Sequence, residues 1–274
     1  MEFTMSLLLC RQKAEVPFMH GKLNIGIWSE QELCYVIYHY PLLCLKDFLD
    51  DRLFDWIDTQ LKLPKLADAL RKNRRLGESA ENQMLYILQE CNYYDVNEVL
   101  AFSGRMMELK KCSGAELVHM EGRLLYQAEK YSLAYEKFAE SIRMLDELIR
   151  RTKDEEEIRK LSERKAEVFC DMAVIKMRMF DRNKAQELLI SSELTYYNKR
   201  AVRLRYLVSG TGELGDNEKA ELDAMKEEAA RKARESQEYQ AVSSLFEKDS
   251  VRIMKDARQI LGRWKNNYRK IASV

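Results

Sequence analysis

The chain has 274 residues, with Lys+Arg 46 against Asp+Glu 45 and 46% hydrophobic residues. It is too apolar for a disordered tail, and no window approaches the roughly 18 apolar residues of a transmembrane span. A formal net charge of +1 excludes a global basic field for nucleic acid or anionic lipid, although local patches survive.

Pro17, Pro41 and Pro64 are the only prolines, and no glycine falls between Gly122 and Gly210. Proline breaks helices and glycine weakens them. The proline-free remainder, rich in Glu, Lys, Arg, Leu, Met and Ala, therefore predicts helix. Cys10, Cys34, Cys44, Cys91, Cys112 and Cys170 form no CxxC pair. They predict free thiols in a reducing compartment, hence a cytoplasmic protein. The apolar run from Leu7 to Cys10 is too short for a signal-peptide core, and no basic residue precedes it.

Residues 7–10 and 24–28 read as strands of a small β-hairpin, with His20, Gly21 and Lys22 as a turn between them. Ser29 and Glu32 have the spacing of a capping box. A helix carrying Leu33, Val36 and Ile37 should follow and stop before Pro41. Phe48, Leu49, Leu53, Trp56, Ile57 and Leu61 mark a second helix within 45–75. Pro64 opens a third with Leu66, Ala69 and Leu70, and Gly77 ends it. Residues 78–94 and 96–111 predict a helical pair. Met84, Leu85, Ile87, Leu88 and Cys91 should face Val99, Leu100, Phe102, Met106 and Met107.

An internal repeat follows. Gly122, Ala134, Phe138 and Ser141 map by a shift of 51 onto Ala173, Ala185, Leu189 and Ser192. Leu117, Val118 and Leu124 map likewise onto Val168, Phe169 and Ile175. Small residues on two facing helices permit close approach, and a large residue one turn later fills the space beyond.

This spacing resembles the tetratricopeptide repeat, in residues 115–148 and 166–198, with Tyr131, Ala134 and Phe138 matching its second-helix pattern. Glu121 stands where a large apolar residue is usual, Lys176 where an aromatic is usual, and neither unit has the closing proline. The intervening segment, 150–165, is longer than a repeat of about 34 residues needs, so the flanking helices should be extended. The whole chain is also similar to uncharacterised bacterial tetratricopeptide proteins. Their N-terminal module reads like Trp28 and Ser29 followed by Glu32, Leu33, Cys34 and Tyr35, and their last segment like Trp264, Lys265, Tyr268 and Arg269. The resemblance implies an all-α fold of TPR-like antiparallel helical hairpins in a right-handed array. Beside it stand the small N-terminal β-hairpin and a long C-terminal helix or helical hairpin. The expected organisation is an N-terminal module (1–75), helical repeats (76–210) and a C-terminal helix or capping hairpin (211–274).

The last of these begins after the glycine-rich loop 209–215. From Asn217, a near-3.5-residue period runs through Leu222, Met225, Ala229, Ala233, Val242, Phe246, Ile253, Ile260, Trp264 and Ile271. One continuous helix or two, broken near Ser243 and Ser244, both satisfy it. A continuous helix would permit a homodimer through this seam.

Chemistry-bearing patterns are sparse. His20, His39 and His119 have no metal-ligand spacing, and no phosphate-loop, nucleophile-elbow or zinc-protease motif occurs. Neither a metal nor a cofactor is expected. Cys34 reads as core, while Cys170 reads as packing or as a thiol facing a groove. Lys199, Arg200, Arg203 and Arg205 make a basic helical face, either solvated or an anion or acidic-peptide contact; nucleic acid is not expected.

The resemblance implies that the first helix of each unit carries ligand contacts. By position these are Glu116, His119, Arg123, Tyr126 and Gln127, then Glu167, Cys170, Val174, Met177 and Arg178, with Arg200 and Arg203 at the end. Arg123, Tyr126 and Arg178 stand out, because aromatic and Arg side chains dominate interface energies. The Lys/Asn set that clamps chaperone tails is absent. The expected function is a non-catalytic scaffold or adaptor that binds a polypeptide partner. A peptide-sensing regulator is the alternative, and an enzyme assembled across helices is a third.

Overall fold

The computed structural model describes residues 13–45, 47–236, 240 and 261–264. These are mostly helical, with one two-stranded antiparallel sheet. The chain divides into two compact units, Met1–Leu124 and Leu125–Val274.

The sheet of the first unit pairs β1 (Lys13–His20) with β2 (Ile25–Ser29). The strand expected at 7–10 lies outside the described residues; the partner of β2 is the segment carrying Pro17. The register shifts between Lys13 and Phe18. Pro17 has no N–H to donate there. Val16 instead bonds to a helix, its N–H donating to Gln60 Oε1 at 3.0 Å and its carbonyl accepting from Trp56 Nε1 at 2.7 Å. The turn closes with Asn24 in the left-handed region (φ 49) and its N–H on the His20 carbonyl at 2.8 Å.

Ser29 caps α1 (Glu30–His39), accepting from the Glu32 N–H at 3.2 Å. The reciprocal half of the capping box is displaced by one residue: Glu32 Oε2 accepts from Trp28 N–H, at 2.6 Å, rather than from Ser29. Leu33, Val36 and Ile37 are buried as expected. A short turn, α2 (Pro41–Cys44), then forms. The next helix, α3 (Asp51–Thr59), starts only at the Asp50 cap, so Phe48 is buried from outside the helix expected to carry it. Pro64 stands at the first turn of α4 (Pro64–Arg75), and Gly77 (φ 77) ends it. The buried residues of α4 are Leu66, Ala67 and Leu70, with Ala67 replacing the expected Ala69.

The helices α5 (Ala80–Cys91) and α6 (Val96–Lys111) form the predicted pair, the second with a complete Asp95/Glu98 capping box. Met84, Ile87, Leu88, Val99, Phe102 and Met106 are buried. Leu100 and Met107, expected to face α5, are each 64% exposed. A 16-residue helix has room for one buried stripe, and Val99, Phe102 and Met106 occupy it.

Helix α7 (Gly114–Gln127) contains the boundary between the units. The second unit continues with α8 (Tyr131–Arg151), α9 (Glu155–Arg178), α10 (Arg182–Thr195), α11 (Lys199–Ser209) and α12 (Asp216–Glu235). The expected extension of the flanking helices is present: α8 has 21 residues and α9 has 24. Helix α9 packs against both α8 and α10. The helix from Asn217 does not run on unbroken, because Ser236 turns extended (φ −66, ψ 144) after Glu235. The alternative break near Ser243 and Ser244 lies outside the described residues.

Candidate functional site

The shift of 51 recurs in backbone geometry. Glu129 (φ 59) and Phe180 (φ 61) are both left-handed, in the turns that close α7 and α9. Glu129 N–H donates to the Tyr126 carbonyl and Lys130 N–H to that of Leu125, at 3.0 and 2.9 Å. The equivalent bonds, Phe180 to Met177 and Asp181 to Lys176, are 3.1 and 2.9 Å. Such paired bonds satisfy the last carbonyls of a helix and fix where the chain leaves it. All eight residues that define the repeat are buried: Gly122, Ala134, Phe138 and Ser141, and Ala173, Ala185, Leu189 and Ser192.

Both departures from the expected pattern have partners. Glu121 is buried and pairs with Lys22, from the turn of the hairpin, at 2.9 Å. Lys176 is half-buried, and its ammonium lies 4.5 Å from the centroid of Tyr135.

The turns bring Tyr126 and Arg178 together, with Arg178 Nε donating to the Tyr126 hydroxyl at 3.3 Å. Tyr131 lies 5.5 Å from Tyr126 between ring centroids. Around them, Gln127 and Arg178 are exposed, while Tyr126, Val174 and Met177 are half-buried.

The other expected contacts are placed differently. Glu116 is engaged in the cap of α7, its Oε2 accepting from Ser113 N–H at 2.8 Å and from Ser113 Oγ at 2.7 Å. His119 is half-buried and Arg123 exposed, both in the first unit. Cys170 is buried, 3.4 Å from Ser192 Oγ. Ser192 spends its single proton on the Ala166 carbonyl at 2.7 Å, so the thiol is the donor. Burial pushes that thiol up to about 11. Cys170 is thus packing between α9 and α10, and no surface of it is offered to a groove.

The basic face of α11 is neutralised within the chain. Arg200 pairs with Asp171 at 2.7 Å and with Glu167 at 2.9 Å, and Arg205 pairs with Glu193 at 2.8 Å. Arg203 reaches Glu221 at 3.4 Å, and Lys199 pairs with Glu218. The last two tie α11 to α12, whose one buried side chain is Leu222.

In the first unit, a cleft of about 330 Å3 lies where the starts of α1 and α4 meet the end of α5. Glu30, Glu90, Lys62 and Lys65 line it, so its formal charges cancel. Cys91, also in its wall, is held protonated by its contact with Cys34 and by burial. Among the described residues, no group of His, Cys, Asp and Glu is placed to hold a metal ion, and no helix is long and apolar enough to cross a membrane.

No protein-family model matches the chain, and comparison with curated proteins and with solved structures finds no match.

Proposed function

We propose that the protein is a non-catalytic interaction scaffold or adaptor that holds a segment of a partner polypeptide at the ends of α7 and α9. The juxtaposition of Tyr126 and Arg178 carries this reading. Two helices one repeat apart end in matched turns, and a tyrosine and an arginine meet there, with Gln127 exposed and Met177 half-buried beside them. An aromatic ring, a guanidinium and a methionine side chain form a contact set suited to protein surfaces. The buried thiols support a non-catalytic reading, because Cys44, Cys91 and Cys170 are all shifted toward the protonated form.

The test is a photo-crosslinking residue at Gln127 in the full chain, expressed in its native cells. A discrete polypeptide adduct, lost when Arg178→Glu is added while circular dichroism stays unchanged, is the expected result. An adduct of undiminished yield in the Arg178→Glu background would reject the assignment.

A further inference from the structure

The first unit carries a different cluster, built from the second half of α1, the turn between α5 and α6, and α6 itself. Five rings form one contiguous chain. Tyr35 and His39 have centroids 4.2 Å apart, and His39 and Tyr38 are 5.3 Å apart. Tyr38 stacks on Tyr94 at 4.1 Å, and Tyr94 meets the edge of Tyr93 at 4.8 Å. Arg105 closes the row. Its guanidinium lies 4.3 Å from the Tyr38 centroid, and Nη2 donates to the Tyr38 carbonyl at 3.2 Å. Buried Phe102 lies beneath, 5.9 Å from Tyr38.

The tyrosine hydroxyls of this row are unused. Among the described residues, the hydroxyls of Tyr35, Tyr38, Tyr93 and Tyr94 have no partner in the protein, and none is buried away from solvent. Arg105 has no carboxylate within ion-pair distance among those residues. The nearby Glu98 carboxylate is already used, accepting from Asp95 N–H at 2.9 Å in the capping box of α6. The surface therefore offers packed rings and unpartnered hydroxyls that can donate or accept. Its rings are held by one another, and tyrosine loses little rotamer freedom on binding.

The geometry points to this surface as a docking site for a proline-rich segment in the polyproline II conformation, with an acidic residue placed to meet Arg105. Such a segment has no N–H at its prolines but keeps every carbonyl, and those carbonyls can accept from the tyrosine hydroxyls. Its conformation is preformed, and its pyrrolidine rings pack on aromatic side chains. Arg105, a cation with no counter-charge among the described residues, supplies the complementarity for the acidic residue. A nucleic acid strand would also stack on rings, but Asp95 and Glu98 flank Tyr94, and among the described residues Arg105 is the one cation in contact with the rings of the row.

The test is titration calorimetry of the full chain with a synthetic peptide of about eight prolines ending in aspartate. The same peptide ending in asparagine and an oligothymidylate of matched length are the comparisons. Saturable binding of the aspartate peptide is expected, with Tyr94→Ala weakening it about tenfold. The double variant Tyr38→Phe/Tyr94→Phe keeps both rings, and hence the packing, and should still weaken binding several-fold. Arg105→Gln should erase the preference for aspartate over asparagine. Arg178→Glu should change nothing, which separates this site from the one proposed above. The proposal is overturned if neither peptide saturates, if the oligonucleotide binds more tightly, or if the phenylalanine double variant and Arg105→Gln both bind like the parent.

Discussion

Arg178, the last residue of α9, donates through Nε to the hydroxyl of Tyr126, the penultimate residue of α7. A cation at a helix C-terminus is favoured by the helix dipole, which holds the guanidinium near that end whether or not the tyrosine accepts from it. Tyr126→Phe should therefore cost only about 0.5 kcal/mol in denaturant unfolding. If the pair is a binding site, the same variant should weaken partner capture at Gln127 by a larger factor than it weakens the fold.

His20 makes the protein acid-sensitive. Its ring is buried, Nδ1 accepts from Leu23 N–H at 3.2 Å, and Nε2 faces Cys44 Sγ at 3.9 Å, with the Phe48 ring tilted against it at 4.9 Å between centroids. Burial is the main cause that brings its pKa from 6.5 down to about 4, and Lys22 pushes in the same direction. The folded state binds the proton more weakly than the unfolded chain does. The associated stability is whole above about pH 6.5 and is lost as pH falls toward 4, a change of about 3 kcal/mol. Chemical denaturation at a series of pH values should show this loss beginning above pH 5, where carboxylates contribute little. His20→Gln should lower stability at neutral pH and flatten that slope.

The small residues of the repeat should not tolerate enlargement. Ala134 and Ala185 are fully buried. Replacing either by Leu forces the helices apart and should cost about 1–3 kcal/mol or more in thermal or denaturant unfolding. Ser192→Ala keeps the volume but leaves the Ala166 carbonyl and the Cys170 thiol without their partner; a cost of about 1–2 kcal/mol is expected.

Phe180 carries backbone strain. It is 87% exposed, yet its φ is 61. A bulky side chain in that region costs about 1–2 kcal/mol. Phe180→Gly removes little packing and should raise the melting temperature. A lowered melting temperature would show that the phenylalanine ring contributes more than its exposure implies.

Much of the helical order is legible in the sequence because it depends on local rules. Ser29, Pro64 and Gly77 mark boundaries through their own hydrogen-bonding and steric properties, and the boundaries fall where those residues stand. The shift of 51 is legible because close packing demands small residues at fixed intervals. The proposed contact at Tyr126 and Arg178 is legible residue by residue, but not as a pair. The first strand is not, because Leu7 to Cys10 is the more apolar run, whereas β1 is held partly by bonds from Val16 to Trp56 and Gln60, about 40 residues away in sequence. Leu100 and Met107 depart from expectation because periodicity counts apolar residues without knowing which face a neighbour covers. The aromatic row on α1 and α6 leaves no motif, since Tyr38, Tyr94 and Arg105 are adjacent only after α1, α5 and α6 have packed.

By itself the sequence determined the helical class, the second strand of the N-terminal hairpin, most helix boundaries and the shift of 51 that recurs in the turns closing α7 and α9. Each follows from propensity, capping chemistry or spacing within a few turns of chain. Only the tertiary structure decided which polar groups are committed. It turned Glu121 into the partner of Lys22, Cys170 into a buried donor to Ser192, and the basic face of α11 into ion pairs with Glu167, Asp171, Glu193, Glu218 and Glu221. A charge's partner is set by distance in space, and side chains up to about a hundred positions apart become neighbours only when their helices and strands pack.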